Sequence, residues 1–349
     1  MMVTTVVPRL MCGILFAVGI SAVVPAVSGE EDDSLLLDDR PLEKPLEFPD
    51  WFKLSFLDLR DDLNEVRKEG KDGLMVYFGQ KYCAYCKAFL EKDLSKEDVK
   101  TYLQKHFDVI GIDIHGQRMV TDLAGREMEE GRFAVQENTN FTPSVIFYDR
   151  DGREALHLRG YYPPYRFRAA LEYVADSNYR KESFREYLAK ADVPLVFDPG
   201  DMNHEAFFLP GPYMLDRSHR PGERPLAVFF EQGNCWACDV LHTTLLEDPE
   251  IRARMNRFES VQLPFWGNVP VVTPSGEHTT ARKWAEKLGL FYTPTLIIFD
   301  RNGKEIIRVD SVVQFYRLRN VLDYVLSGGY HEYPNFQRWR ESRTPAVYR

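Results

Sequence analysis

Short runs of consecutive apolar residues recur along this chain, each followed by a turn and then by helical periodicity. Leu74 to Phe78, Val109 to Ile114 and Ser144 to Tyr148 read as strands, the first and last of them as buried ones. Phe56, Leu59, Leu63 and Val66 fall at helical spacing and predict a helix over 55–69, with Ser55 as its cap. Ser95 with Asp98 predicts a cap for a helix carrying Val99, Tyr102 and Leu103. A further helix is expected around Arg126 to Gln136. Asp149 to Gly152 is a hairpin turn that returns the chain through Leu156 to Arg159, and Arg166 to Ala175 closes the set as a helix.

The pattern then repeats. Residues 74–86, LMVYFGQKYCAYC, correspond to residues 226–238, LAVFFEQGNCWAC; both end in a Cys-x-x-Cys, Cys83 with Cys86 and Cys235 with Cys238. Pro143 of Thr142-Pro143 lies 60 residues beyond Cys83, and Pro294 of Thr293-Pro294 lies 59 beyond Cys235. VIFYDRDGRE and LIIFDRNGKE follow, with turn glycines Gly152 and Gly303. Tyr173 in LEYV and Tyr324 in LDYV stand 21 residues after those glycines, and Tyr179 and Tyr330 come six residues later. Landmarks held in register this far mark a duplicated domain. Asp248-Pro249 is a strong helix start in the second copy.

An apolar strand that turns into a helix with Cys-x-x-Cys at its mouth is the setting of a redox site. With a later Thr-Pro, a strand ending in Asp-x-x-Gly and a closing helix, each copy resembles the thioredoxin superfamily. That resemblance implies an α/β fold: two tandem thioredoxin-like domains, each a central mixed sheet flanked by helices. Gly160-Tyr161, Pro163, Pro164, Phe167, LEYV and the Tyr179/Phe184/Tyr187 tail are similar to the exported SoxW-like group associated with sulfur oxidation. The second copy has Asp310-Ser311 where the first has Arg159-Gly160. The resulting division is a signal peptide over 1–28, an exposed acidic linker over 29–50, a first domain over 51–190, a proline-rich connection over 191–224 and a second domain over 225–349.

Charged residues make up 28% of the chain and apolar ones 44%, as in soluble globular proteins, and the net charge of −9 argues against nucleic-acid binding. Residues 10–27 are almost wholly apolar, follow Arg9 and precede an acidic cluster, so they read as a secretory signal rather than an uncleaved anchor. Export to the periplasm is the expectation. Cys12 lies inside that segment, so the mature chain keeps four cysteines, all in the two pairs. A bridge across two residues closes too short a loop to restrict the unfolded chain much, so as staples the pairs are poor. As redox switches in an oxidising compartment they are well placed.

The resemblance puts Cys83 and Cys235 at helix N-termini, where the helix dipole and unpaired amides favour thiolate. They are expected to be the nucleophiles, with Cys86 and Cys238 resolving the mixed disulfide. Pro143 and Pro294 are expected as cis prolines facing the cysteines, with Thr142 and Thr293 offering backbone to an extended substrate. Tyr85 and Trp236 are read either as substrate-facing aromatics or as shields over the sulfurs. Zinc is disfavoured because the two pairs stand 152 residues apart, each in its own strand-helix context. Covalent haem is disfavoured because Lys87 and Asp239, rather than His, follow the pairs, and copper delivery because no extra His or Met crowds the cysteines. His115 and His242 read as ordinary polar residues. No metal or cofactor is implied.

Two departures from thioredoxin stand out. The dipeptides between the cysteines are Ala84-Tyr85 and Trp236-Ala237, not Gly-Pro, and the position of thioredoxin's buried aspartate holds Tyr77 or Phe229. Lys87 near the first pair favours thiolate, whereas Asp239 and Glu231 near the second oppose it, so the first couple is expected to be the more oxidising. The function expected is an exported thiol-disulfide oxidoreductase that reduces protein disulfides, those of sulfur-oxidation or cytochrome-maturation clients among them, and draws electrons from a membrane thiol donor. An oxidase or isomerase is the alternative, and a peptide-binding chaperone module is a third reading.

Overall fold

The structure, a computed structural model, describes Met2 and residues 36–191 and 201–343; the expected signal peptide and Cys12 lie outside these. The first copy runs α1 (Leu59–Glu69), β1 (Gly73–Gly79), α2 (Ala84–Ala88), which continues as a π-helical turn over Phe89–Asp93, α3 (Glu97–His106) and β2 (Phe107–Asp113). It continues through β3 (Met119–Thr121), β4 (Glu127–Glu129), α4 (Glu130–Gln136), β5 (Ser144–Asp149), β6 (Glu154–Arg159), α5 (Pro164–Ala175) and α6 (Phe184–Ala191). The four main strands order as β2-β1-β5-β6, with β1 parallel to β2 and the remaining pairs antiparallel.

The second copy repeats this with β7 (Tyr213–Met214), β8 (Leu226–Glu231), α7 (Trp236–Val240), a π-helical turn over Leu241–Leu246, α8 (Pro249–Met255) and β9 (Glu259–Pro264). Next come β10 (Pro270–Val272), β11 (His278–Thr280), α9 (Ala281–Lys287), β12 (Thr295–Phe299), β13 (Glu305–Val309), α10 (Phe315–Leu326), α11 (Gly329–Glu332) and α12 (Phe336–Arg343). Its sheet orders as β9-β8-β12-β13 with the same senses. The mixed α/β architecture with two thioredoxin-like domains is therefore the one the sequence implies.

Every residue of β1 and of β8 is buried, because helices cover both faces of each sheet and the strands accordingly carry continuous apolar runs. Along β8 the alternation divides the work. Ala227 and Phe229 join the core beneath the π-helical turn, α8 and α10, while Leu226, Val228 and Phe230 join the core beneath α9. Residues 33–349 form one compact unit. The domains share cores across their junction: Tyr292 and Val312 of the second pack in the first, and Phe141 of the first packs in the second.

Several local expectations are corrected. Helix α1 begins at Leu59 because Asp58, not Ser55, caps it, accepting from the Arg60 and Asp61 amides. Phe56 precedes the helix and is fully exposed, and Ser55 instead donates to the Asp62 carboxylate. Helix α3 has no side-chain cap: Lys96 holds the N-cap position, and the Ser95 hydroxyl donates to the Glu91 carbonyl. The expected helix over 126–136 opens as strand, over Glu127–Glu129. Gly125 at φ +81° and Asp122, which accepts from the Ala124 and Arg126 amides, make a turn that pairs β3 with β4, and helix begins only at Glu130.

Two connecting segments are built into the fold. Residues 36–50, expected as exposed linker, are pinned to the first domain: the Leu42 and Leu46 amides donate to the Tyr82 and Lys81 carbonyls, and Phe48 meets Tyr77 edge-on at 5.9 Å. Within the expected connection, β7 pairs in parallel with β10, and Phe208 packs edge-on against Phe229 at 5.2 Å. Arg217 there is buried and donates to the Arg224 and Asp300 carbonyls. Proline and acidic residues mark irregular backbone, whether solvated or packed, so composition reads both alike.

Candidate active site

Each cysteine pair sits where a fully buried strand hands over to a helix. Cys83 is the N-cap of α2 and Cys235 of α7, both in extended backbone, so their sulfurs face the first-turn amides. The Cys86 amide donates to Cys83 Sγ at 2.9 Å, and the Cys238 amide to Cys235 Sγ at 3.2 Å. Both pairs are disulfides, with Cα atoms 5.1 and 5.2 Å apart. Cys86 and Cys238 are completely buried, whereas Cys83 and Cys235 keep a little accessible surface.

Against each first cysteine lies a Thr-Pro loop. The Thr142–Pro143 and Thr293–Pro294 bonds are both cis, as is Gly211–Pro212. Cys83 Sγ lies 3.6 Å from the Thr142 carbonyl oxygen and 3.3 Å from its hydroxyl. The matching distances from Cys235 to Thr293 are 3.8 and 3.7 Å. All eight of these Cys, Thr and Pro residues thus assemble into two local sites.

The two aromatics between the cysteines part company. Tyr85 is only 4% exposed, while Trp236 is 46% exposed. Tyr85 is covered because the Arg317 guanidinium of α10 lies 3.4 Å over its ring. Its hydroxyl donates to Asp39 at 3.0 Å and accepts from the Gln314 amide at 2.8 Å. Burial first, and then the Asp39 charge, raise its pKa well above the ordinary phenol value, although Arg317 pulls the other way. Tyr85 is thus buried beneath Arg317, and of the two only Trp236 is exposed.

The polar surroundings also differ. At the first site Gln80 donates to the Thr142 hydroxyl at 2.6 Å, and His115 Nε2 lies 3.2 Å from Gln80 Oε1. Burial lowers the His115 pKa. At the second site Glu231, fully buried at the end of β8, lies 2.9 Å from His242 Nε2 and accepts from Gln262. His242 Nδ1 lies 3.0 Å from Glu205. Burial opposes the charge on His242, but the hydrogen bonds and charges of Glu231 and then Glu205 outweigh it, so its pKa is raised. The residue read as ordinary is a buried ion-pair partner, one helical turn beyond Cys238.

Sequence reasoning passed over Gln80, Asp39 and Arg317. Gln80 had a signal, since Gln232 occupies the same place three residues before the second pair. Arg317 had one too, since Tyr316-Arg317 repeats Tyr165-Arg166 at the start of the closing helix. Asp39 had none. Among the described residues no cluster of three or more His, Cys, Asp or Glu is arranged to hold a metal, and no helix is long and apolar enough to cross a membrane.

Two strand-to-helix cysteine pairs, each set against a cis Thr-Pro loop in a four-stranded mixed sheet, define a tandem thioredoxin-fold protein. The model for the thioredoxin-like domain matches residues 59–175 and again 214–326, more than half of the chain, and the chain belongs to that family. No curated protein matches it significantly. Among solved structures it is similar to a thioredoxin-fold protein from Helicobacter pylori, 25% identical over 35% of this chain and 80% of that one, with a TM-score of 0.30. It is similar also to a thioredoxin from Thermus thermophilus, 24% identical over 33% and 81%, TM-score 0.27. A disulphide isomerase from Xylella fastidiosa Temecula1 is 19% identical over 42% and 96%, TM-score 0.25.

Proposed function

We propose that the protein is an exported thiol-disulfide oxidoreductase that works in the periplasm with two redox sites and reduces protein disulfides. The observation that carries this reading is the amide of each second cysteine aimed at the sulfur of the first, at 2.9 and 3.2 Å. A donor held there stabilises a thiolate on Cys83 and on Cys235, the species that attacks a disulfide. The attacked bond breaks, one client sulfur leaves as thiol, and Cys86 or Cys238 then displaces the second. The dithiol loses two electrons, the client disulfide gains them, and the site returns to the disulfide form.

A membrane thiol donor then reduces the protein again, and clients resembling those of SoxW-like proteins are the favoured substrates. Exposed Trp236, beside the Cys235 that faces Thr293, supports docking of extended chains at the second site. The second reading, an oxidase or isomerase, uses the same residues with electrons flowing the other way. Turbidity of insulin in dithiothreitol, catalysed by the full chain and by Cys83→Ser, Cys235→Ser and the double variant, tests the proposal. Catalysis by the full chain and its loss in the double variant are expected; catalysis by the double variant refutes it.

A further inference from the structure

Cys83 opens onto a cleft of about 320 Å³ at the junction of the two domains, within the range of small-molecule sites. Four arginines line it, Arg317, Arg319, Arg340 and Arg343, and Asp39 is the one acidic residue of the lining; Arg319 also lies 4.0 Å from the Glu250 carboxylate outside it. The Asp39 carboxylate is already engaged, accepting from the Tyr316 amide at 3.0 Å, the Arg317 amide at 2.7 Å and the Tyr85 hydroxyl at 3.0 Å. Arg317 is buried and its guanidinium donates to the Val312 and Thr142 carbonyls, which hold it without cancelling its charge. Burial, and then the Arg317 charge, lower the Arg340 pKa to about 10. Phe336 and Trp339 give the same cleft an apolar wall.

Such a cleft selects negative charge. Guanidinium forks match carboxylates, and their number asks for more than one anionic group. The Thr142 carbonyl, which an extended peptide would use, is taken by Arg317 at 2.8 Å. Building on the redox reading above, we propose that the first site takes a small carboxylate-bearing disulfide, bound by these arginines beside Cys83, while protein chains are left to the second site. The Cys83 thiolate attacks one ligand sulfur, the ligand S–S bond breaks, and one half leaves as a thiol. Cys86 then attacks Cys83 and expels the other half. Two electrons and two protons pass from the dithiol to the ligand, which ends as two thiols.

The test uses the full chain carrying Cys235→Ser and Cys238→Ser, reduced, freed of reductant and mixed with three disulfide probes. Glutathione disulfide is anionic, bis(2-hydroxyethyl) disulfide neutral and cystamine cationic. Thiol trapping gives the oxidation rate of the Cys83–Cys86 pair. Glutathione disulfide is expected to react about tenfold faster than the neutral probe and cystamine slowest, with the spread shrinking at high salt. Arg340→Gln should narrow the spread, and Arg343→Glu, at an exposed position, should slow glutathione disulfide and speed cystamine. Equal rates for all three probes, or cystamine the fastest, overturn the selectivity while leaving the redox reading intact. A cystine peptide flanked by glutamates that outpaces glutathione disulfide overturns the small-molecule assignment. Failure of every probe to oxidise the pair removes the redox reading itself, and this proposal with it.

Discussion

The Arg317 guanidinium, on the closing helix of the second domain, donates to the Thr142 carbonyl beside the first cysteine pair at 2.8 Å. Its counterpart Arg166, on the closing helix of the first domain, donates to the Phe291 carbonyl near the second Thr-Pro loop at 3.0 Å. The domains therefore clasp each other through equivalent arginines, but only Arg317 is buried and reaches the residue next to the proline. Replacing Arg317 with alanine is expected to cost about 2–3 kcal/mol, the scale of a charge-assisted hydrogen bond with its buried acceptor left unpaired. Arg166→Ala should cost less. Urea midpoints of the two variants check this ranking.

A second contact at the junction explains a difference between the repeats. Gly160 adopts φ +114°, and a Cβ there would overlap the Ser311 hydroxyl. Next to it the Val312 amide donates to the Tyr161 carbonyl at 2.9 Å, so the two domains meet backbone to backbone here. Gly160→Ala is expected to destabilise by about 2 kcal/mol, from overlap and backbone strain together. Adding Ser311→Gly should recover part of that loss. A double-mutant cycle in thermal unfolding measures the recovery, and strict additivity would show that the overlap is not the cause.

Asp310 is buried at the same place, and burial raises its pKa from 3.8 to about 6, with Arg308 and Arg159 opposing. The protonated form fits the fold better than the charged one. Its contribution is therefore fully present below 3.8 and is lost as pH rises through about 6. Asp310→Asn should add about 3 kcal/mol near neutral pH and almost nothing at about pH 3.5. Denaturant unfolding at the two pH values reads the difference.

His242 titrates in a higher window. Its pKa is raised above 6.5 because Glu231 and Glu205 together outweigh the cost of burial. The stabilisation it brings is complete below 6.5 and is lost as pH rises through the raised value. His242→Gln should flatten the fall in stability across that window and leave the Asp310 step untouched. Unfolding midpoints followed across the alkaline limb distinguish the two variants.

Much of this was legible in the sequence, because a duplicated chain shows its own constraints twice. The strands around Val76 and Val228, the cysteine pairs and the Thr-Pro loops each recur at matched spacing. What escaped is tertiary. Tyr85 and Trp236 occupy the same kind of position, and nothing local says that Arg317 from the other domain will cover one and leave the other open. Asp39 sits in an acidic, proline-punctuated stretch that reads as solvated linker; its carboxylate is held by the first amides of α10, a partner more than two hundred residues away. Glu231 and His242 likewise become a pair only when strand and helix pack.

The central claim is that both cysteine pairs are working redox couples, and the reduction potential of each pair tests it most directly. Each would be titrated in the full chain by thiol trapping across dithiothreitol and glutathione buffers, with the other pair changed to serine. The account predicts that both pairs titrate as two-electron couples, with values of about −270 mV for a reductase, and with the Cys83–Cys86 pair the more oxidising of the two. Potentials at about −180 mV or higher would favour the oxidase or isomerase. A pair that fails to titrate at all would contradict the account, leaving its domain a scaffold around a single active site.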